Sequence, residues 1–295
     1  MKLNKILRWL ALGGIFLVPF VPLVVANNLF FPFITGKAFV FRILVMIATG
    51  AWLILALRDE DYRPKNSWIL KALAVFFLVV SLADLFSVNP FKSFWSNFER
   101  MEGWVGIFHL FLYFLTASAM LNNWRHWKKF FQTSIVVSVI MGGYGLLQLA
   151  GVLVINQGGM RLDGTFGNAT YLAVYMLFHI FLTFFLLLRE RFSKFWQWTY
   201  GVIIVLQLFI LYHTATRGVV LGLIGGASLT FLLIAFFEKE RLFLKKSSKI
   251  ILIGVLVLVV GFFAVRNTSL VQNSDSLSRL ASISLNEARP RFMVW

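Results

Sequence analysis

Apolar residues dominate this chain in long runs, and polar residues are confined to the short stretches between them. A helix needs roughly 18 or more apolar residues to cross about 30 Å of hydrocarbon. Nine runs are candidates, near residues 6–26, 36–57, 68–86, 104–121, 130–155, 171–188, 199–213, 218–237 and 250–265, of which the seventh and ninth are short. The strand alternation of a membrane barrel is absent from them. The pattern therefore predicts an all-α membrane protein, a polytopic bundle of about nine transmembrane helices.

Composition supports a bilayer as the solvent of this chain. Hydrophobic residues make up 59% and charged residues 14% of the sequence, and the mean hydropathy is +0.81. A soluble domain would have to bury more apolar side chain than its volume allows. The sequence has no cysteine, which excludes a disulfide framework, a thiolate metal site and a cysteine nucleophile.

The net charge of +16 is unevenly distributed along the chain. Most basic residues fall into five segments that alternate with poorly charged ones, which is the pattern of cytoplasmic loops. These segments contain Lys2, Lys5, Arg8; Arg58, Arg63, Lys65; Arg125, Lys128, Lys129; Arg189, Arg191, Lys194; and Lys239, Arg241, Lys245, Lys246, Lys249. Each cluster lies at the end of an apolar run, whereas a nucleic-acid-binding protein would gather its basic residues on one soluble surface. We therefore expect contact with membrane lipids and no nucleic-acid partner. Because the first of these basic segments is at the amino terminus, we expect the amino terminus to be cytoplasmic.

The first run permits a second interpretation. The letters MKLNK followed by an apolar stretch ending in VVA also resemble a secretory signal. The apolar stretch is long for a signal, which favours an uncleaved first helix.

Three segments on the poorly charged side each carry an arginine. They are residues 87–103 (SVNPFKSFWSNFERMEG), residues 156–170 (NQGGMRLDGTFGNAT) and the hairpin TATRG, and they hold Arg100, Arg161 and Arg217. A guanidinium stays ionised and can bind two phosphate oxygens at once, which suits a lipid-linked phosphate at the outer headgroup level. The alternative is that these arginines snorkel or pair with headgroups, as we also expect for Arg42 and Lys71 within their runs.

Glycines recur every four residues along the eighth run. Gly218, Gly222 and Gly226 share one helix face, which would let a neighbouring helix approach closely. Ordinary helix packing explains this spacing as well as a functional role does.

Taken together, three motifs resemble the O-antigen ligase and polymerase superfamily of bacterial multi-spanning glycosyltransferases. They are R-x-x-G-T-F-x-N-A-T-Y-L-A at Arg161–Ala173, T-A-T-R-G at Thr214–Gly218 and S-F-W-S-N-F-E-R-M-E-G at Ser93–Gly103. Relatives commonly have N-P-N where this chain has Asn168-Ala169-Thr170, and S-R-G where it has Thr216-Arg217-Gly218. The resemblance extends over nearly the whole chain, and the order of the motifs makes it specific.

The resemblance implies a GT-C-like fold and a function in cell-surface polysaccharide biosynthesis. Such enzymes transfer or polymerise glycan from an undecaprenyl-pyrophosphate-linked donor at the outer face of the bacterial cytoplasmic (inner) membrane. The acceptor is the lipid A core of lipopolysaccharide, another glycan or a protein, and neither a cofactor nor a metal is needed. Carried over from the family, Arg161 and Arg217 would be catalytic by stabilising the departing diphosphate, and Arg100 would be a weaker donor-binding residue.

In the same family the proposed catalytic base is a histidine in a large extracytoplasmic loop that follows a motif like R-x-x-x-W. Arg289, Arg291 and Trp295 resemble the beginning of that loop, which makes both arginines weaker donor-binding candidates. The resemblance thus implies a helical bundle over residues 1–266 and an incomplete loop over residues 267–295. The base and further helices are expected beyond residue 295, so the sequence is interpreted as a fragment.

Among the four histidines, His213 is the candidate nearest the hairpin, four residues before Arg217. His109 and His179 lie within apolar runs, where a packed, hydrogen-bonded role is the stronger interpretation. No pair has the spacing of metal ligands.

A transporter or flippase of lipid-linked glycan is the alternative function, because it too would place arginines at the outer surface. Transporters of this type are expected to carry charges or broken helices at the membrane midplane and often show paired halves. The central parts of the predicted spans are apolar here, which favours the enzyme.

Overall fold

The computed structural model describes residues 2–97, 100, 102–157, 159–190 and 193–281, and within them it shows α-helices and no strand. The helices are α1 (Lys2–Leu17), α2 (Thr35–Arg58), α3 (Trp68–Leu85), α4 (Pro90–Trp95), α5 (Trp104–Met120), α6 (Trp124–Leu149), α7 (Ala169–Arg189), α8 (Lys194–His213), α9 (Arg217–Phe237), α10 (Leu242–Val265), α11 (Ser269–Gln272) and α12 (Asp275–Ala281). A 3-10 segment, Val18–Leu23, continues α1. The predicted all-helical class is therefore confirmed.

All nine predicted runs form helices, but their lengths differ from the prediction. Eight are long and apolar enough to cross a membrane, the first of them only when α1 is taken together with its 3-10 continuation as Lys2–Leu23. The ninth, α5, has 17 residues and is shorter than these eight spans. The two runs predicted to be short are in fact parts of longer helices, because α8 begins at Lys194 and α10 at Leu242. Lysines in these first turns can stay hydrated while the backbone continues its helical hydrogen bonds.

The exposed surfaces of the helices show what surrounds them. In α3 no residue is buried, and only 6% of the most apolar part of α10 is buried. Large apolar side chains such as Val79 and Leu258 are more than half exposed along these helices. Surfaces of this extent and composition belong in lipid. The chain is a multi-pass membrane protein.

Polar residues at the ends of the apolar runs determine where several helices begin. The Ser67 hydroxyl accepts a hydrogen bond from the Leu70 amide at the start of α3. The Asn89 carboxamide caps α4 in the same way, and the Asn168 carboxamide accepts from the Thr170 amide at the start of α7. Each side chain satisfies an amide that has no partner within its own helix.

The structure divides into two compact units, Met1–Met141 and Gly142–Trp295, with the boundary inside α6. The prediction that residues 267–295 form a separate segment stays a prediction, because residues 282–295 lie outside the described part. Each unit has its own packing.

In the first unit α1, α2 and α5 enclose a core. Ile15 of α1 and Leu55 of α2 are fully buried there. The hydroxyls of Thr49 and Thr116 hydrogen-bond at 2.9 Å between α2 and α5, so both buried polar groups are satisfied. Gly14 lets α1 approach α2 closely, since a Cβ at that position would lie 2.8 Å from the Ala48 Cβ.

In the second unit α7 packs against both α8 and α9. The side chains of Thr183 and Gln207 hydrogen-bond to each other between α7 and α8. On α9, a Cβ at Gly226 would lie 2.8 Å from the Phe181 ring of α7, and one at Gly222 would lie 3.6 Å from Leu177. The predicted close approach is thus confirmed at Gly226. A Cβ at Gly222 would make an ordinary contact, and one at Gly218 would meet nothing within 4 Å.

The adjacent glycines of α1 allow a paired test of this packing. In Gly14→Ala the new methyl would meet Ala48 and the Leu44 carbonyl oxygen, at 2.8 and 3.1 Å, and the helices would have to separate. We expect a loss of about 1–3 kcal/mol in stability, the usual effect of overpacking. The measurement is thermal unfolding of the purified protein in one detergent.

Gly13→Ala is the matched control, because its methyl would have no neighbour within 4 Å. Equal melting temperatures for the two variants would contradict the close approach of α1 and α2.

Candidate functional site

The segment between α6 and α7 is organised around the carboxylate of Asp163, which is fully buried. One of its oxygens accepts a hydrogen bond of 2.7 Å from the Gln148 Nε2, and the other accepts one of 2.9 Å from the Gln157 amide. A buried carboxylate is tolerated only where such donors surround it. Asp163 therefore joins the end of α6 to the loop that carries Arg161.

Two glutamines make further hydrogen bonds to this loop. The Gln148 Nε2 also donates to the Val154 carbonyl, and its Oε1 accepts from the Gly164 amide at 2.9 Å. The Gln157 Oε1 accepts a hydrogen bond from the amide of Ala169, the first residue of α7. Side chains thus replace the regular backbone pairing that an irregular segment lacks.

Arg161 connects this loop to the TATRG hairpin between α8 and α9. Its Nε donates to the Thr214 carbonyl at 2.9 Å, and its Nη2 donates to the Thr216 hydroxyl at 3.1 Å. The next residue strengthens the connection, because the Leu162 amide donates to the His213 carbonyl. The structure therefore brings Arg161 to the residue that immediately precedes Arg217.

The hairpin has an unusual backbone. Ala215 has a φ of +47°, in the left-handed region where a residue with a Cβ is disfavoured by about 1–2 kcal/mol. Neighbouring bonds hold it there: the buried Thr214 hydroxyl donates to the Leu211 carbonyl, and the Thr216 hydroxyl donates to the Thr214 carbonyl. This bend presents one carbonyl and one hydroxyl to the same guanidinium.

Arg217 is the first residue of α9, and it lies at the positive end of the helix dipole. The hydroxyl of Thr216, which precedes it, makes no capping bond to α9 and bonds to Arg161 instead. Helix amino termini with uncapped amides are favourable positions for anions. A positive side chain at this end is unfavourable for the helix dipole.

A third arginine, which the sequence did not indicate, lies near Arg161. Burial and, to a smaller extent, the charge of Arg279 in α12 both lower the pKa of the Arg161 guanidinium below its ordinary value. The chain after α10 packs back toward the hairpin, since Val271 is buried and the Tyr212 hydroxyl lies 3.5 Å from the Ser274 hydroxyl. Positive charge therefore accumulates on this side of the unit.

The remaining predicted arginines are placed differently. Arg100 belongs to the first unit, where its guanidinium lies 4.9 Å from the centre of the Phe31 ring and its carbonyl accepts from the Arg42 Nη2. Arg42 does not snorkel as expected, because only 8% of it is exposed. Arg289 and Arg291 lie outside the described residues. Their roles and that of Arg100 in donor binding stay predictions.

The histidines inside apolar helices have the predicted structural role. The Nδ1 of His109 lies 2.7 Å from the Val105 carbonyl, and that of His179 lies 2.8 Å from the Tyr175 carbonyl. His213 ends α8 with its ring 4.6 Å from that of Phe209. Its backbone belongs to the contact between loop and hairpin, while its function as a base stays a prediction.

No protein-family model, curated protein sequence or solved structure matches this chain. The chemistry of the site itself therefore has to carry any statement about function.

The loop geometry predicts the effect of changing Asp163. In Asp163→Ala the Gln148 and Gln157 donors lose their buried acceptor, at a cost of about 1–3 kcal/mol. Asp163→Asn should have nearly the same effect, because the new NH₂ group would face either the Gln148 Nε2 or the Gln157 amide, and both of these are donors. We expect faster hydrogen–deuterium exchange in residues 156–167 for both variants.

Thr170→Ala is a suitable control, because Thr170 is exposed and follows the same loop. Unchanged exchange in Asp163→Ala would show that the carboxylate does not hold the loop in place.

Proposed function

We propose that this chain acts in an integral membrane glycosyltransferase of the O-antigen ligase and polymerase kind, with a GT-C-like fold. The donor would be a glycan linked to undecaprenyl pyrophosphate, used at the outer face of the bacterial cytoplasmic membrane. The observation that carries the proposal is the pair of hydrogen bonds from Arg161 to Thr214 and Thr216, directly before Arg217. These bonds support the proposal because they join segments whose arginines are 56 positions apart in the sequence.

The reaction explains why such a site would be cationic. An acceptor hydroxyl attacks the anomeric carbon, the bond from that carbon to the pyrophosphate oxygen breaks, and its electron pair leaves with the diphosphate. The hydroxyl proton passes to a base. Negative charge thus grows on the leaving group, and fixed positive groups stabilise the transition state more than the bound donor.

Arg161 is held in a way that suits this role. Its Nε and Nη2 bond to the hairpin, and its Nη1 has no hydrogen-bond partner among the described residues, so this nitrogen can bind a phosphate oxygen. Because two bonds fix the guanidinium before any ligand arrives, little reorganisation is needed during the reaction. Partial burial further strengthens its attraction to an anion.

The environment of Arg161 also favours an anionic ligand. Its lowered pKa reflects the cost of holding a cation in a partly buried place near Arg279. A bound diphosphate would offset both effects, since it supplies opposite charge and hydrogen-bond acceptors. The amino terminus of α9 would add a further favourable contribution.

Substitution of the two arginines tests this function in cells. Arg161→Ala and Arg217→Ala are introduced into the complete natural gene. Each should lower the yield of ligated or polymerised glycan by about a hundredfold or more. Arg161→Lys keeps the charge but not the paired bonds to the hairpin, so we expect an intermediate loss. The measurement is glycan gel analysis in ligase-null and, separately, polymerase-null strains.

Arg266→Ala is the matched control, because this arginine ends the neighbouring α10 and rests on the Phe263 ring. Membrane levels of every variant are compared by immunoblot. Wild-type glycan from both alanine variants would overturn the proposed role. Donor that accumulates on the cytoplasmic side of the membrane would instead indicate a transporter.

The proposed topology can be tested with single cysteines, because the chain contains none of its own. Met160→Cys, at an exposed position beside Arg161, should react with an impermeant maleimide in intact spheroplasts. Lys65→Cys, between α2 and α3, should react only after permeabilisation if the basic segments are cytoplasmic. Equal labelling of both positions in intact cells would contradict this orientation.

A further inference from the structure

The first unit contains a cavity of about 560 Å³ between α1 and the beginning of α6. It has no part in the arginine site described above, whose residues all belong to the second unit. Its lining changes in character along α1, from basic side chains at one end to apolar side chains at the other.

Three cations line the basic end, and no acidic residue of the described part of the chain lines the cavity. They are Lys5 and Arg8 of α1 and Lys129 of α6, all exposed. None of the three has an ion-pair partner among the described residues. Lys5 and Arg8 lie three residues apart on α1, about one helical turn, and Lys129 of α6 lines the same cavity. Like charges gathered without a counter-ion favour an anion between them.

The apolar end continues along the same face of α1. Leu12, Gly13 and Phe16 line it, and the helix from Lys5 to Phe16 is about 16 Å long at 1.5 Å per residue. A Cβ at Gly13 would have no neighbour within 4 Å, so the missing side chain leaves room in the groove. A ligand that fills this cavity must be anionic at one end and apolar at the other.

We propose that this groove binds one anionic phospholipid, with the headgroup phosphate among Lys5, Arg8 and Lys129 and an acyl chain along Leu12, Gly13 and Phe16. The arrangement combines charge complementarity at the mouth with apolar contact inside, which an inorganic phosphate cannot use. Basic pockets between transmembrane helices are favourable places for anionic headgroups. The site does not depend on the proposed glycosyltransferase function.

Lipid retention by purified variants tests the proposal. The protein is exchanged into nanodiscs of mixed phosphatidylcholine and phosphatidylglycerol, extracted, and examined by native mass spectrometry for retained phosphatidylglycerol. Arg8→Gln/Lys129→Gln removes charge at the mouth and should lower retention at least about tenfold. Gly13→Leu fills the apolar end while every charge remains, and we expect a comparable loss.

Each variant has a matched control. Lys65→Gln/Lys246→Gln removes the same charge at two exposed positions outside the cavity. Gly50→Leu makes the same substitution at an exposed glycine of α2, which also has open space around its Cβ position. Both controls should retain phosphatidylglycerol as the wild type does, and size-exclusion profiles report folding.

Retention that is equal in the variants and their controls would overturn the proposal. Displacement of the lipid by inorganic phosphate would also overturn it, because that result would identify a free-anion site without an acyl-chain contribution. Loss in Arg8→Gln/Lys129→Gln together with full retention in Gly13→Leu would contradict the proposed path of the acyl chain.

Discussion

Hydrocarbon offers no hydrogen-bond partner to a peptide group, and this constraint governs the whole fold. It makes helices of every apolar run and confines irregular backbone to the ends of the helices. Where the chain between α6 and α7 is irregular, it supplies its own partners through Gln148, Gln157 and the buried Asp163. The side-chain hydrogen bonds of this loop thus meet the same requirement that forms the spans.

This requirement also explains how a guanidinium can be fixed in a loop between two long apolar helices. Because the loop is tied to α6 through Asp163, Arg161 reaches the hairpin with a defined direction. Bonds to a backbone carbonyl and a hydroxyl occupy one edge of its planar fork, and the rest can face a ligand. Rigidity of this kind is what electrostatic stabilisation of a leaving group requires.

The sequence was informative about the spans and about part of the site. Hydropathy predicted the nine longest of the twelve described α-helices, but it misjudged their ends, because basic first turns such as that of α8 do not look apolar. The common side of Arg161 and Arg217 followed from charge distribution. The role of Asp163 was missed, because the sequence alone does not distinguish a buried carboxylate from a solvated one. Gln148, a polar residue within an apolar helix, could have indicated a buried polar partner. Arg279 could not be anticipated, because only tertiary folding brings α12 toward Arg161.

The backbone of Ala215 has a mechanical consequence. Its left-handed torsion aims the carbonyl before it and the hydroxyl after it at one side chain, so relaxing that torsion would break both contacts with Arg161 together. The backbone torsion of Ala215 and the position of the Arg161 guanidinium therefore depend on each other. Any change that moves the Arg161 guanidinium would therefore also act on the backbone directly before α9.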